Sequence, residues 1–340
     1  MLALPVINFT IDPTEVFDTG LLPHRFQVND RFRKFEYLLN RCGDCRGFLL
    51  GSSRMGYTDP ALFDGLLTSG RCYNMNISSA NAWDYLEVAR YLQRKGIETE
   101  LLVVQLDITE EFGDRGRYQH HPDFSGDSRF RFFFENLFSI PYRSLLGKLW
   151  SNVVGRDSSE FVWETGQRRR ADAERMLNED PDAYVQAESD FRVAADSRRV
   201  DSGLFRDAVD QTIGVVRKLR HLADQSRIRI IVLVTPHNQH YLDRFRRVDV
   251  LYFLSRLAEV TSFWNFASYS SVTTDDRNYY ETSHHRPSIA AMVAARVGGK
   301  ASGSIPDDFG RWVTRDNAGA VLEELESQFA ARIQAGLRSE

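Results

Sequence analysis

The sequence predicts an α/β protein in which helices cover both faces of a parallel β-sheet. Two observations predict it. Short apolar runs of strand length recur at 47–51, 71–77, 101–108, 228–234 and 261–266. Segments with apolar residues at helical spacing stand between most of them. Strands that alternate with helices pair in parallel, and parallel sheets need cover on both sides. At 340 residues and 42% hydrophobic, the chain can bury one large core. It reads as a single domain, 1–340, with an N-terminal arm at 1–46 and an insertion at 109–202.

The arm opens with an apolar segment, 2–9, that runs straight into Thr10 and Asp12. Two readings stand: the last turns of a membrane anchor that begins upstream, or a first buried strand or arm. Phe32, Phe35, Tyr37 and Leu38 recur near helical spacing and predict a helix at 29–40. Cys42 and Cys45 have redox or metal spacing, but no second pair completes a zinc site. The pair precedes a strand instead of opening a helix after one, so it reads as a loop pair able to close a local disulfide.

Residues 47–51 predict the first strand, which stops at Gly51-Ser52-Ser53-Arg54. A short helix follows at 59–67, then a strand at 71–77. An amphipathic helix at 82–95 carries Tyr85, Val88, Ala89 and Leu92 on one face and stops at Gly96. The third strand is 101–108. Between 109 and 202 the alternation breaks into a polar, mostly helical stretch, which reads as a lid or a structural cap. Its aromatic piece, 130–154, reads as a packing face rather than a membrane contact. Arg168-Arg169-Arg170, followed by Asp172 and Glu174, reads as a solvated helix face. His120-His121 beside Asp123 reads as a surface loop. The alternation then resumes: helix 204–223, strand 228–234, helix 241–259, a final strand at 261–266, and helix 287–297.

Composition excludes several classes. A net charge of −4, from 43 basic and 47 acidic residues, leaves no electrostatic footprint for nucleic acid. No run of 18 apolar residues is present. Gly51-Ser-Ser-Arg-Met-Gly56 lacks the Gly-Lys-Ser/Thr ending of a phosphate loop, and no dinucleotide glycine fingerprint occurs. No metal and no cofactor is predicted.

The chemistry gathers at strand ends. In open parallel sheets, ligands bind outside the carboxyl ends of the strands. Ser53 follows the first strand, Asp107 ends the third, His237 follows the fourth, and Glu281 and His284 follow the fifth. A serine hydroxyl becomes a useful nucleophile when a histidine accepts its proton, and a carboxylate fixes that histidine's tautomer. Glu281-Thr-Ser-His284 puts carboxylate and imidazole one turn apart. Gly126-Asp127-Ser128 also spells a serine motif, but it follows no strand and is set aside.

These residues resemble the SGNH (GDSL-type) hydrolase superfamily. Gly51-Ser52-Ser53 matches its Gly-Asp-Ser, and Glu281-x-x-His284 matches its acid-x-x-His. Asn74-Met-Asn-Ile-Ser-Ser79 resembles its Asn-x-x-Ile-Ser-Gly, and Gln105-Leu106-Asp107 its Gly-x-Asn. The resemblance implies a three-layer α/β/α, flavodoxin-like sheet. It makes Ser53 the nucleophile, His284 the base and Glu281 the orienter, with Ser53, Ser79 and Asp107 at the oxyanion hole. An ionised aspartate cannot donate a hydrogen bond. The options are a protonated Asp107, another donor, or chemistry unlike a standard hydrolase. Thr235-Pro236-His237, Phe263-Trp264-Asn265-Phe266 and Tyr280 to Pro287 extend the likeness to a bacterial group associated with exopolysaccharide O-acetylation. That implies an acylated carbohydrate as substrate, polysaccharide-assembly proteins as partners, and the periplasm or cell envelope as location, or the cytoplasm if Met1 is the true start. Arg54, Asn76, His237 and Arg286 are the expected substrate-binding residues. For Arg54 and Arg286 the alternative is a salt bridge to Asp107, Asp275 or Asp276.

Overall fold

Six strands form one central sheet: β1 (Cys45–Leu50), β2 (Arg71–Asn74), β3 (Leu101–Leu106), β4 (Arg229–Val234), β5 (Phe263–Asn265) and β6 (Arg311–Val313). The structure is a computed structural model that describes residues 3–12, 14–19, 21, 29–108, 121–125, 128–138, 160–192, 202–299 and 305–336. The strand order is β6-β5-β4-β3-β1-β2. The first five strands run parallel, and β6 lies antiparallel to β5. The protein is therefore mixed α/β with a mostly parallel sheet, as the alternation predicts. The expected final strand, 261–266, is not the last. β6 follows it, and its exposed Arg311 and Trp312 hide it from a search for apolar runs.

Alternation along each strand decides which layer a side chain meets. Leu49, Leu101, Val103 and Leu233 pack with Phe63 and with Ile289, Val293 and Ala294. Phe63 belongs to the 3-10 helix Pro60–Leu66, and the other three to a helix at Pro287–Val297. Phe48, Leu50, Leu102, Val104 and Val232 are one residue out of phase and equally buried. On their side stand α1 (Ala82–Arg94), α2 (Ser202–Ser226), α3 (Arg247–Ala258) and, after Pro287–Val297 as α4, α5 (Ala318–Gln334). α1 packs on α2, α2 on α3, and α3 on α5. The predicted helix at 241–259 is two helices, Gln239–Leu242 and α3, because Arg246 takes an extended conformation between them.

Chain direction creates a crevice. From β1 the chain moves outward to β2, then returns to place β3 on β1's other side. Segments leaving β1 and β3 diverge, and side chains at those two carboxyl ends can face a common opening.

Packing divides the chain into two units. The larger comprises Asp44–Gly113, Thr165–Gln167 and Asp172–Glu340 and holds the whole sheet. The other comprises Met1–Gly43, Asp114–Glu164 and Arg168–Ala171. The expected insertion is thus shared: Asp114–Glu164 and Arg168–Ala171 cluster with most of the N-terminal arm, and the rest clusters with the sheet.

In the smaller unit, 3–11 is a helix, Ala3–Ile11, rather than a strand. It packs on the helix Arg129–Phe138, where Asn8 Nδ2 donates to the Leu137 carbonyl at 2.6 Å. The packing-face reading fits Phe132, which is buried and stacks on Phe32 at 4.9 Å. It does not fit Phe130, Phe134 and Phe138, which are exposed. Residues 139–154 of that aromatic piece lie outside the described residues. His121 is fully buried against Phe32, Phe35 and Phe124, not in a surface loop; His120 lies outside the described residues. Arg168 sits in a short strand, not on a helix, and bonds Asp30 at 3.4 Å. Ser128 caps a helix, its Oγ accepting from the Arg131 N–H, which accounts for the second serine motif; Gly126 and Asp127 lie outside the described residues. Cys42 and Cys45 are disulfide-bonded, and Cys72 is free and buried.

Candidate active site

β1 ends against a turn that has no room for a side chain at Gly51. A Cβ there would come within 2.4 Å of the Met55 Cβ. Two bonds close the turn, Met55 N–H to Ser52 O at 3.1 Å and Gly56 N–H to Ser53 O at 3.0 Å. Asn74, at the end of β2, holds its far side by donating to the carbonyls of Met55 and Thr58 at 2.9 and 2.8 Å. The Ile77 N–H donates to Gly51 O, so the loop after β2 runs beside the turn. Ser53 is presented from this frame, half-buried.

His284 and Glu281 come from a separate hairpin. Tyr279–Glu281 pairs antiparallel with His284–His285, and Glu281 lies directly opposite His284. A two-residue loop, Thr282-Ser283, joins them. This explains the Glu-x-x-His spacing: residues i and i+3 across such a loop are cross-strand neighbours on one face. Thr282 Oγ1 donates to Asp190 Oδ2 at 2.8 Å and accepts from Arg244 Nη2 at 3.2 Å, which fixes the loop.

The two elements meet at one contact. His284 Nε2 lies 2.8 Å from Ser53 Oγ. Its Nδ1 is hydrogen-bonded to Glu281 Oε1. The other carboxylate oxygen, Oε2, accepts from the Ser283 N–H at 2.7 Å and its Oγ–H at 2.8 Å. With Nδ1–H donating to Glu281, Nε2 is left as the acceptor for the Ser53 proton; this tautomer follows from the network. Burial pushes the Glu281 carboxyl upward, but the hydrogen bond and charge of His284 and the two bonds from Ser283 outweigh it, and it is held at about 2. Glu281 is ionised at any working pH. Tyr57 packs edge-on against His284 at 5.5 Å and against Tyr280 at 5.2 Å.

Asp107 is not a hydrogen-bond donor. Its Oδ2 accepts from Ser52 Oγ at 2.5 Å and from Arg54 Nη1 at 3.2 Å, and its Oδ1 accepts from Thr235 Oγ1. Burial pushes its carboxyl upward, but the Arg54 charge and these bonds prevail and lower it. Its expected place at the oxyanion hole is therefore corrected, because a carboxylate with both oxygens accepting has no proton to donate to an oxyanion. Ser79 stands at φ 55°, the left-handed conformation that glycine adopts most freely.

The expected substrate-binding residues are mostly committed elsewhere. Arg54 donates to Asp107 and, through Nη2, to Tyr241 Oη at 2.8 Å. It takes the salt bridge to Asp107 in place of a substrate. Arg286 donates from Nη2 to Glu174 and Asn178, each at 2.5 Å, and from Nη1 to the Arg277 carbonyl at 3.3 Å. It holds the helix Ala171–Glu179 to the hairpin instead of facing a ligand. Asn76 and His237 are fully buried and do not reach solvent. His237 Nε2 accepts from the Ile108 N–H at 3.4 Å, and its ring stacks on Tyr241 at 4.7 Å. Burial, with the Arg54 charge, pushes it down to about 3, so it is neutral.

Sequence reasoning missed Ser52, Thr235, Tyr241 and Glu174. Ser52 and Thr235 adjoin residues already singled out, at the mouths of β1 and β4. Nothing local marked Glu174, which lies more than a hundred residues from its partners Tyr280 and Arg286. No protein-family model matches the chain, and no curated protein does.

Proposed function

We propose that the protein is a serine-dependent esterase or O-acyltransferase of the SGNH type, acting through an acyl-enzyme on an acylated carbohydrate of the cell envelope or an exopolysaccharide. The observation that carries the reaction is the 2.8 Å contact between Ser53 Oγ and His284 Nε2, with Glu281 on the far nitrogen. The strand order β2-β1-β3-β4-β5 agrees with the flavodoxin-like sheet of that superfamily. The carbohydrate substrate, the assembly partners and the envelope location rest on the motif resemblance.

In this reading Ser53 Oγ attacks the ester carbonyl while its proton passes to His284 Nε2. The imidazolium is stabilised by Glu281. The oxyanion is met by the backbone N–H groups of Ser53 and Ser79, which replace the amide that Asp107 does not supply. Collapse expels the alkoxide, which takes the proton back from His284 as an alcohol. Water or a sugar hydroxyl then attacks the acyl-enzyme, with His284 again taking the proton and Ser53 recovering it. Water access decides between hydrolysis and transfer.

A second reading has its own observation. Asp107 stands where the superfamily donates an amide, and its oxygens are filled. That favours a catalytically silent relative that binds or helps assemble carbohydrate. A fluorophosphonate probe with mass mapping separates the two. Labelling at Ser53, and loss of p-nitrophenyl acetate turnover on the order of 10⁶-fold in Ser53→Ala, is the expected result. A folded protein that takes no label at Ser53 sinks the enzyme reading.

A further inference from the structure

Both neighbours of Ser53 are tied to one buried carboxylate. Ser52 Oγ donates to Asp107 Oδ2 at 2.5 Å, and Arg54 Nη1 donates to the same oxygen at 3.2 Å. The Arg54 N–H also points to Ser52 Oγ at 3.4 Å, closing a small ring beneath the nucleophile. We infer that Asp107 is a positioning residue for Ser53: it clamps the turn from the end of β3, the strand next to β1, and so sets the direction of the nucleophile. The inference rests on the serine-dependent reading above and adds a role that the motif comparison does not assign to this position.

The clamp is itself braced. Asp107 Oδ1 accepts from Thr235 Oγ1, which in turn accepts from Gln105 Nε2 at 2.8 Å. Arg54 is held from its other side by Tyr241, whose hydroxyl accepts at 2.8 Å and whose ring lies 4.9 Å from the guanidinium carbon. Tyr241 stacks on His237, and His237 accepts from the Ile108 N–H, next in the chain after Asp107. Residues from the ends of β1, β3 and β4 thus form one connected polar network under the turn. In such a network each member constrains the orientation of the next, although Arg54 Nε and His237 Nδ1 have no partner within it. Charge matters as well. The Arg54 guanidinium neutralises Asp107, so the carboxylate can hold the turn without placing a net negative charge beneath a developing oxyanion. The Asp107 side chain does not touch the reacting atoms; it acts through Ser52 and Arg54.

Three variants of the full chain test this: Asp107→Ala, Ser52→Ala and the double variant. Two readouts are taken on each. The first is the phosphonylation rate at Ser53, with kcat and KM for p-nitrophenyl acetate. The second is amide hydrogen exchange over 51–56, which needs no activity. Asp107→Ala is expected to lower kcat and the labelling rate about 10²-fold with KM nearly unchanged, the effect of a misdirected nucleophile. Exchange in the turn should quicken while that in β3 and β4 stays as in the parent. Ser52→Ala should cost less alone and nothing further in the Asp107→Ala background, because the hydroxyl's anchor is already gone. Parent-like exchange over 51–56 in Asp107→Ala overturns the clamp, as does a Ser52→Ala loss that simply adds to it. If the parent protein takes no label but the turn still loosens in Asp107→Ala, the clamp stands and the esterase reading falls.

Discussion

Ser53, His284 and Glu281 form a continuous hydrogen-bonded chain, and the carboxyl of its last member is strongly lowered. With its carboxyl held at about 2, Glu281 is an anion near neutral pH, so it can keep Nδ1–H in place and stabilise an imidazolium. Glu281→Gln keeps the size and removes the charge. It is expected to lower kcat for p-nitrophenyl acetate about 10⁴-fold with little change in KM, as a lost tautomer does. A variant with parental kcat would show that the carboxylate is not the orienter. At this scale the sequence was partly readable. Residue types and spacings singled out Ser53, Glu281 and His284, because that chemistry needs few residue types. Chemistry and resemblance make Arg54, Arg286, Asn76 and His237 the expected substrate-binding residues, with a salt bridge as the alternative for the two arginines. The partners of Arg54 and Arg286 come from strands and helices distant in the chain, which no local pattern displays.

Two short elements carry the site, and each depends on a steric or cross-strand detail. In the turn after β1, Gly51 is required because a Cβ would overlap the Met55 Cβ, part of a buried side chain that cannot swing aside. Gly51→Ala is expected to destabilise the fold by about 1–3 kcal/mol, the usual cost of overpacking, and to slow labelling of Ser53 by displacing the turn. Urea unfolding and the phosphonylation rate measure the two effects; unchanged values in both would mean that the turn has slack. The hairpin 279–285 is braced by the helix Ala171–Glu179. Tyr280 donates to Glu174 at 2.8 Å, Arg286 donates to the same carboxylate, and Leu177 packs with Tyr57 and Tyr280. The strand and helix positions in the sheet were legible from period alone: β1, β3, β4 and α1 fall within a few residues of their expected places. The hairpin was not, since two strands of three and two residues have no period to read.

For the whole molecule, buried neutral histidines make stability depend on pH. Burial pushes His237 down to about 3 and His285 down to about 4, from an ordinary value near 6.5. Below about pH 6.5 the unfolded chain takes up protons that these two folded side chains refuse. Stability is therefore complete above that pH and falls as the pH drops toward 4 and then 3, by about 1.4 kcal/mol per unit for each histidine. Urea midpoints at pH 7 and pH 5 should show the loss, and His237→Gln should reduce it. Equal midpoints at both values in the parent would refute it. The amino-acid sequence by itself determined the α/β class, most of the sheet's strands and the three residues of the proposed triad, because periodicity and nucleophile chemistry are local properties. Tertiary structure alone decided that Asp107 is a filled acceptor, that Arg54 and Arg286 are ion-paired within the protein, and that part of the expected insertion braces the hairpin. Each of those is a matter of which charges and hydroxyls meet once strands far apart in the chain lie side by side.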